Sequence, residues 1–302
     1  MHSLPFEEDP QWREVLDELS RIREQGDYSA ENVEYIKQKL QSPDDRVRGG
    51  AALAAEGCLF EPYVADLLIE LAENDPNPSI RKAALQSLEG VISEGVEQGF
   101  EDTTGPESEV EYAEDWAEVE YGSLREDYLR VKNLLFRLLE DPAEPMEVRE
   151  VALAVLGNLG FLEVIREYIR DFIRSPRKSA QLVALHAMGK YPYYWEDELA
   201  EMITPDQDKA LLMEAISASY SSDSEKLARR IEAVLHHPDP DVISYALMTL
   251  ANINKTPELG EILQQFSLHP DPRVQETARE AIEHFSRKNF DRFMKDEFGL
   301  GE

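Results

Sequence analysis

Apolar residues recur at helical spacing through most of the chain, and one small residue keeps a fixed place in the pattern. Seven alanines fall in register: Ala51, Ala84, Ala152, Ala184, Ala215, Ala246 and Ala278. Each stands four residues after an apolar or small anchor, namely Val47, Ile80, Val148, Ala180, Leu211, Val242 and Val274. Successive anchors lie 33, 68, 32, 31, 31 and 32 residues apart, the second step being about twice the period. Eight residues after the anchors come Ala55, Leu88, Leu156, Met188, Ser219, Leu250 and Ile282. Eleven after come Cys58, Val91, Leu159, Tyr191, Ser222, Ile253 and Phe285. Such offsets share one face of an α-helix with about 3.6 residues per turn. A recurring alanine on that face predicts helices packed too closely for a larger side chain. Self-similarity at this period is the signature of a stacked repeat array.

Each of these helices has an amphipathic partner upstream, such as Ile165, Ile169 and Phe172, or Leu227, Ile231 and Val234, at i, i+3, i+4 spacing. Proline punctuates the turns between partners, as in Ser42-Pro43-Asp44, Asp75-Pro76-Asn77-Pro78, His237-Pro238-Asp239-Pro240 and His269-Pro270-Asp271-Pro272. Proline lacks an N–H and fixes φ, so it closes one helix and suits the start of the next. The predicted unit is helix, Pro-Asp turn, helix.

Stretches such as Val47-Arg48-Gly49-Gly50-Ala51 and Val148-Arg149-Glu150-Val151-Ala152-Leu153-Ala154-Val155-Leu156-Gly157 resemble the second helix of HEAT repeats, in the short form common in bacterial proteins. That helix typically reads Val-Arg-x-x-Ala-x-x-Ala-Leu-Gly. The Val-Arg step is kept at Ile80-Arg81 and decays later to Gln181, Leu212, Ile243 and Gln275. The resemblance covers residues 27 to 287 and implies an all-α fold, a right-handed α-solenoid of about seven helical hairpins. It implies an architecture and no single activity.

Along the chain, residues 1–26 read as an N-terminal capping segment with a helix over 10–25 ended by Gly26. Repeats one and two occupy 27–91, an acidic insertion 92–123, repeats three to seven 124–287, and a C-terminal capping helix 288–302, carried near Asn289 to Phe298. Residues 93 to 107 read as a loop around Gly95, Gly99, Gly105 and Pro106. Apolar stepping from Val110 to Leu138 predicts one helix over 108–140, or two meeting at Gly122. Ser108 with Glu111, and Ser123 with Glu126, fit capping boxes.

The charge narrows the function. There are 62 acids against 31 bases, a formal net charge of −31. Nucleic-acid binding depends on Lys and Arg neutralising phosphates, so nucleic acid is not an expected partner. Anionic membrane surfaces are disfavoured in the same way. The start of the sequence lacks a basic and then apolar leader, and no apolar run reaches about 18 residues. A cytoplasmic, monomeric protein is the expectation. Glutamate-rich outer faces serve solubility, and a basic partner is the sharper reading. Cys58 falls in the core series and reads as a packed thiol.

Two partner surfaces stand out. One is the insertion, with eleven acids between Glu94 and Glu120, no base from Ala83 to Leu124, and the aromatic anchors Tyr112, Trp116 and Tyr121. The other is the second-helix face of repeats four to six, which carries Leu182, His186, Met213, Tyr220, Tyr245 and Met248 outside the core series. Beside it lies the connector Pro192-Tyr193-Tyr194-Trp195. In HEAT-like arrays this layer lines the concave side, where partners usually bind.

Catalytic signatures are missing. The sequence has no Gly-rich phosphate loop, no Gly-x-Ser-x-Gly and no cysteine cluster. It also lacks the His-Glu pairs of the HEAT-like iron enzymes. His237 and His269 hold one turn position in successive repeats, about 10 Å apart by helix-packing distance, too far to share a metal. No cofactor and no metal are expected. The reading is a non-catalytic scaffold or adaptor for a protein or peptide. The alternative is an enzyme or enzyme subunit like the phycobilin lyases, whose chains resemble HEAT repeats of this length.

Overall fold

A computed structural model describes residues 10–101, 117–256 and 258–298; among them every regular element is a helix. The chain divides after Asn158 into two compact units. Unit 1 holds α1 (Pro10–Gln25), α2 (Ala30–Leu40), α3 (Asp45–Ala54), α4 (Val64–Asn74), α5 (Pro78–Ser87), α6 (Glu89–Glu97), α7 (Ala117–Glu140) and α8 (Met146–Leu156). Unit 2 holds α9 (Glu163–Ile173), α10 (Lys178–Lys190), α11 (Glu196–Met202), α12 (Lys209–Ala218), α13 (Glu225–Ala233), α14 (Pro240–Ile253), α15 (Leu259–Phe266) and α16 (Pro272–Phe298).

The hairpins form as the periodicity demands. In unit 1, α2 packs on α3, α4 on α5 and α7 on α8. In unit 2, α9 packs on α10, α11 on α12, α13 on α14 and α15 on α16. The second helices then stack in sequence, α3 on α5 and α5 on α8 in one unit, and α10, α12, α14 and α16 in the other. All seven register alanines are fully buried at 0% exposure, the smallest side chains lying where these helices meet. The anchors four residues before them are buried as well. Polar members of the series are satisfied locally: Ser219 Oγ donates to the Ala215 carbonyl at 2.8 Å, and Ser222 Oγ accepts from the Ser224 N–H at 3.0 Å. Cys58 is buried, and burial pushes its thiol up to about 11, so it is a poor nucleophile.

The hairpin turns share a two-bond code. Five residues before the anchor, a side chain accepts the N–H two residues on. Ser42 does so at 3.2 Å, Asp75 at 2.8 Å, Ser175 at 3.2 Å, and His237 and His269 through Nδ1 at 3.1 Å each. Three residues before the anchor, Asp44, Asn77, Asp208, Asp239 and Asp271 cap the second helix by accepting the N–H two residues on. The Arg46 guanidinium and backbone amides hold Asp44 down at about 2. A serine at 237 keeps the acceptor that Ser42 and Ser175 supply elsewhere, whereas leucine removes it. His237→Ser should therefore melt with the wild type, and His237→Leu should lose about 1 kcal/mol in thermal denaturation.

The Val-Arg arginine acquires a physical role. Arg48, Arg81 and Arg149 donate to carbonyls at the end of the preceding helix or its turn, to Ser42, Ala72 and Leu139 at 2.9, 3.0 and 2.9 Å. Arg48 and Arg81 also reach the next hairpin, Arg48 to Asp75 at 2.7 Å and Arg81 to Glu144 at 2.5 Å. Where arginine gives way to glutamine, Gln181 and Gln275 keep a backbone bond, to the Ile173 and His269 carbonyls.

Two segment boundaries differ from the sequence reading. Residues 93 to 97, expected in a loop, belong to α6, because Val91, Ile92 and Gly95 pack inward there. Gly95 is needed for the fit, since a Cβ would lie 2.1 Å from the ring of Tyr128, which is itself fully buried. The separate helix expected near Asn289 does not exist: α16 runs unbroken from Pro272 to Phe298, with no glycine or proline to end it earlier. Helix α7 passes straight through Gly122. The first part of the 108–140 helix, with the Ser108–Glu111 capping box, lies outside the described residues.

Candidate functional site

The sequence-predicted surface residues separate into three groups. Tyr112 and Trp116 lie outside the described residues; Tyr121 sits in α7, with its side chain outside the description. The second group spans α10, α12 and α14, three helices packed in that order. There His186, Tyr220 and Tyr245 are exposed, while Leu182, Met213 and Met248 are half-buried. His186 Nδ1 lies 3.5 Å from Glu214 across the α10–α12 seam, and Asn252 ties α14 to the Tyr220 carbonyl at 2.6 Å.

The third group is the connector between α10 and α11, and here the structure brings most together. A 3₁₀ turn over Pro192–Tyr194 fixes the chain. Tyr193 and Tyr194 turn outward, 64% and 40% exposed. Their ring centroids are 4.4 Å apart. Tyr191 stands edge-on to Tyr193 at 6.3 Å, and Phe161, from the segment just before α9, stands edge-on to Tyr191 at 5.6 Å. Four rings thus form one continuous strip. Edge-to-face packing of this kind is favourable beyond the area it buries. Burial pushes the Tyr191 and Tyr193 phenols up, with Tyr194 adding to the effect at Tyr193.

Two arginines of α9 pack against the connector, Arg166 on the strip and Arg170 on the tryptophan that follows it. The Arg166 guanidinium stacks over Tyr194 at 4.2 Å, donates to the Phe161 carbonyl at 2.6 Å, and pairs with Glu163. The Arg170 guanidinium lies 5.3 Å from the Trp195 ring and bonds Glu163 at 3.0 Å. Trp195 corrects the expectation of an exposed anchor: it is fully buried, because its indole fills the space under the connector while the two tyrosines before it face out. Phe161, Arg166 and Arg170 were absent from the sequence-predicted site. The Glu163, Arg166, Arg170 spacing on one helix face was the available signal.

A separate cleft of about 410 Å³ opens between α13 and α15, lined by Arg229, Glu232, Leu235, His236, Ile262 and Phe266 among others. It offers no hydroxyl or thiol. Among the described residues no cluster of His, Cys, Asp or Glu has metal-binding geometry, and no helix is long and apolar enough to cross a membrane.

Stacked helical hairpins with an aromatic strip on one connector define an α-helical repeat protein. No known protein family's pattern matches the chain, and no curated protein matches it. Among solved structures it is similar to an engineered protein at 16% identity, with a TM-score of 0.38, over 85% of this chain and 97% of that one. It is also similar to a designed armadillo repeat protein at 13% identity, TM-score 0.37, over 83% of this chain and 98% of that one. A third similar structure is the archaeal HEAT-like repeats protein from Thermococcus onnurineus, at 14% identity and TM-score 0.36, over 94% of this chain and 99% of that one.

Proposed function

We propose that this chain is a non-catalytic scaffold that holds a protein or peptide partner on unit 2, at the tyrosine strip and the adjoining face of α10, α12 and α14. The observation that carries the reading is the strip of Phe161, Tyr191, Tyr193 and Tyr194, interlocked and clamped by Arg166 yet open to solvent at Tyr193 and Tyr194. Tyrosine offers large contact area at low conformational-entropy cost, and rings already fixed in place lose little more on binding. Half-buried Met213 on α12 and Met248 on α14 add an adaptable apolar surface. The formal charge of −31 favours a basic partner over nucleic acid.

Affinity capture with the wild-type protein and with a Tyr193→Ala/Tyr194→Ala variant tests this. The partner should be recovered by the wild type and its recovery should fall about tenfold with the variant, the loss expected from ~1.4 kcal/mol of anchor energy. Full recovery by the variant, with loss only when residues 102 to 116 are deleted, would move the site to the acidic insertion.

A further inference from the structure

We propose that unit 1 carries a second docking edge, for a lysine- and arginine-rich protein segment, with Phe60 and Tyr63 as its anchors. These two rings stand 62% and 73% exposed on the turn between the 3₁₀ helix Ala55–Cys58 and α4. The residues on either side root the turn: Cys58 and Leu59 before it and Val64 and Ala65 after it are buried. Its backbone is fixed by bonds from the Glu61 N–H to the Cys58 carbonyl at 3.0 Å and from the Val64 N–H to the Glu61 carbonyl at 3.1 Å. Tyr63 takes a left-handed φ of 69°, where glycine would sit without strain, so a bulky ring is held at a place that disfavours it. Neither ring has a hydrogen-bond, ring or cation partner among the described residues.

Charge selects the occupant. The sequence through residue 158 has 37 acids against 14 bases, and the remainder 25 against 17. Cations around the turn are already used: Arg23 pairs with Glu56, Arg130 with Asp66, and Arg137 with Glu73. Glu61 on the turn, Glu70 on α4 and Glu97 on α6 have no partner among the described residues, and Glu94 holds only Gln98. Helix α6 adjoins the turn so closely that a Cβ on Gly90 would lie 2.9 Å from the side chain of Leu59. Exposed rings flanking the unpaired Glu61 carboxylate, in a unit with a large excess of acids, fit guanidinium and ammonium groups, which bind aromatic faces and carboxylates alike. The same chemistry occurs within this unit, where Lys39 lies over Tyr35 at 4.8 Å and Arg46 over Trp12 at 4.3 Å. This edge does not depend on the tyrosine strip of unit 2.

Fluorescence anisotropy of labelled nona-arginine, and of an uncharged amphipathic helix, titrated with the full-length protein at low and high salt tests the proposal. Nona-arginine should bind, more weakly at high salt. Phe60→Ala/Tyr63→Ala should weaken it about tenfold without altering net charge or the melting curve. Glu61→Gln should lower both the affinity and its salt dependence. Tyr193→Ala/Tyr194→Ala should leave it unchanged. Binding by Phe60→Ala/Tyr63→Ala within twofold of wild type would overturn the proposal, as would equal binding of the uncharged helix. Loss confined to the Tyr193/Tyr194 variant would overturn it too, while leaving the scaffold reading of unit 2 standing.

Discussion

Asp75→Ala is expected to destabilise the protein by about 3–5 kcal/mol, the cost of breaking a buried ion pair by removing one partner. Its carboxylate is 2% exposed and accepts from Arg48 Nε at 2.7 Å and from the Asn77 N–H at 2.8 Å. Arg48 belongs to α3 and Asp75 to the α4–α5 turn, so the bond joins one hairpin to the next. Removal leaves a guanidinium only 12% exposed facing a gap, with Asp45 and the Ser42 carbonyl as its remaining partners. It also frees the N–H that sets the turn. At about 2–4 °C per kcal/mol for chains of this size, Tm should fall by on the order of 10 °C. Asp75→Asn keeps the shape and one acceptor and should cost less than alanine. Equal melting of Asp75→Ala and wild type would show that the pair does not couple the hairpins.

Ala246→Leu should be the most damaging of the conservative apolar changes in unit 2. Ala246 is 0% exposed in α14, which packs against both α12 and α16. Leucine adds three carbons where two neighbouring helices already touch. Overpacking of this kind costs about 1–3 kcal/mol, and more where the backbone has to move. Backbones in this stack come close: a Cβ on Gly189 of α10 would lie 3.0 Å from the Ala218 Cα of α12. A fall of about 4–10 °C in Tm is expected. A variant that melts within a degree of wild type would mean the layer is looser than the register implies.

How far the sequence could be read depended on whether a feature repeated. The buried face was legible because Ala51, Val47 and their counterparts recur at one period, and all the alanines proved buried. The Pro10 start and Gly26 end of α1 were legible from local chemistry, and Gly26 indeed takes φ 63°. The turn role of His237 and His269 followed from their shared position, although the bond itself, an Nδ1 accepting an N–H, is visible only in three dimensions. Features that occur once were harder. Trp195 follows two exposed tyrosines and reads like them, but the 3₁₀ turn reverses its direction into the core. Helix α6 has two glycines in nine residues, which spell a loop by propensity; the pocket that Gly95 makes for Tyr128 overrides it. Phe60 and Tyr63 sit outside the periodic pattern altogether, and only their exposure on a fixed turn distinguishes them.

The central claim is that these hairpins stack through a layer of small side chains. Its most direct test is a thermal melt of each register variant, Ala51→Leu, Ala84→Leu, Ala152→Leu, Ala184→Leu, Ala215→Leu, Ala246→Leu and Ala278→Leu, beside Ala233→Leu, an alanine exposed on α13. All seven should melt several degrees below wild type, at about 1–3 kcal/mol each, with Ala233→Leu unchanged. Register variants that melt like Ala233→Leu would contradict the account.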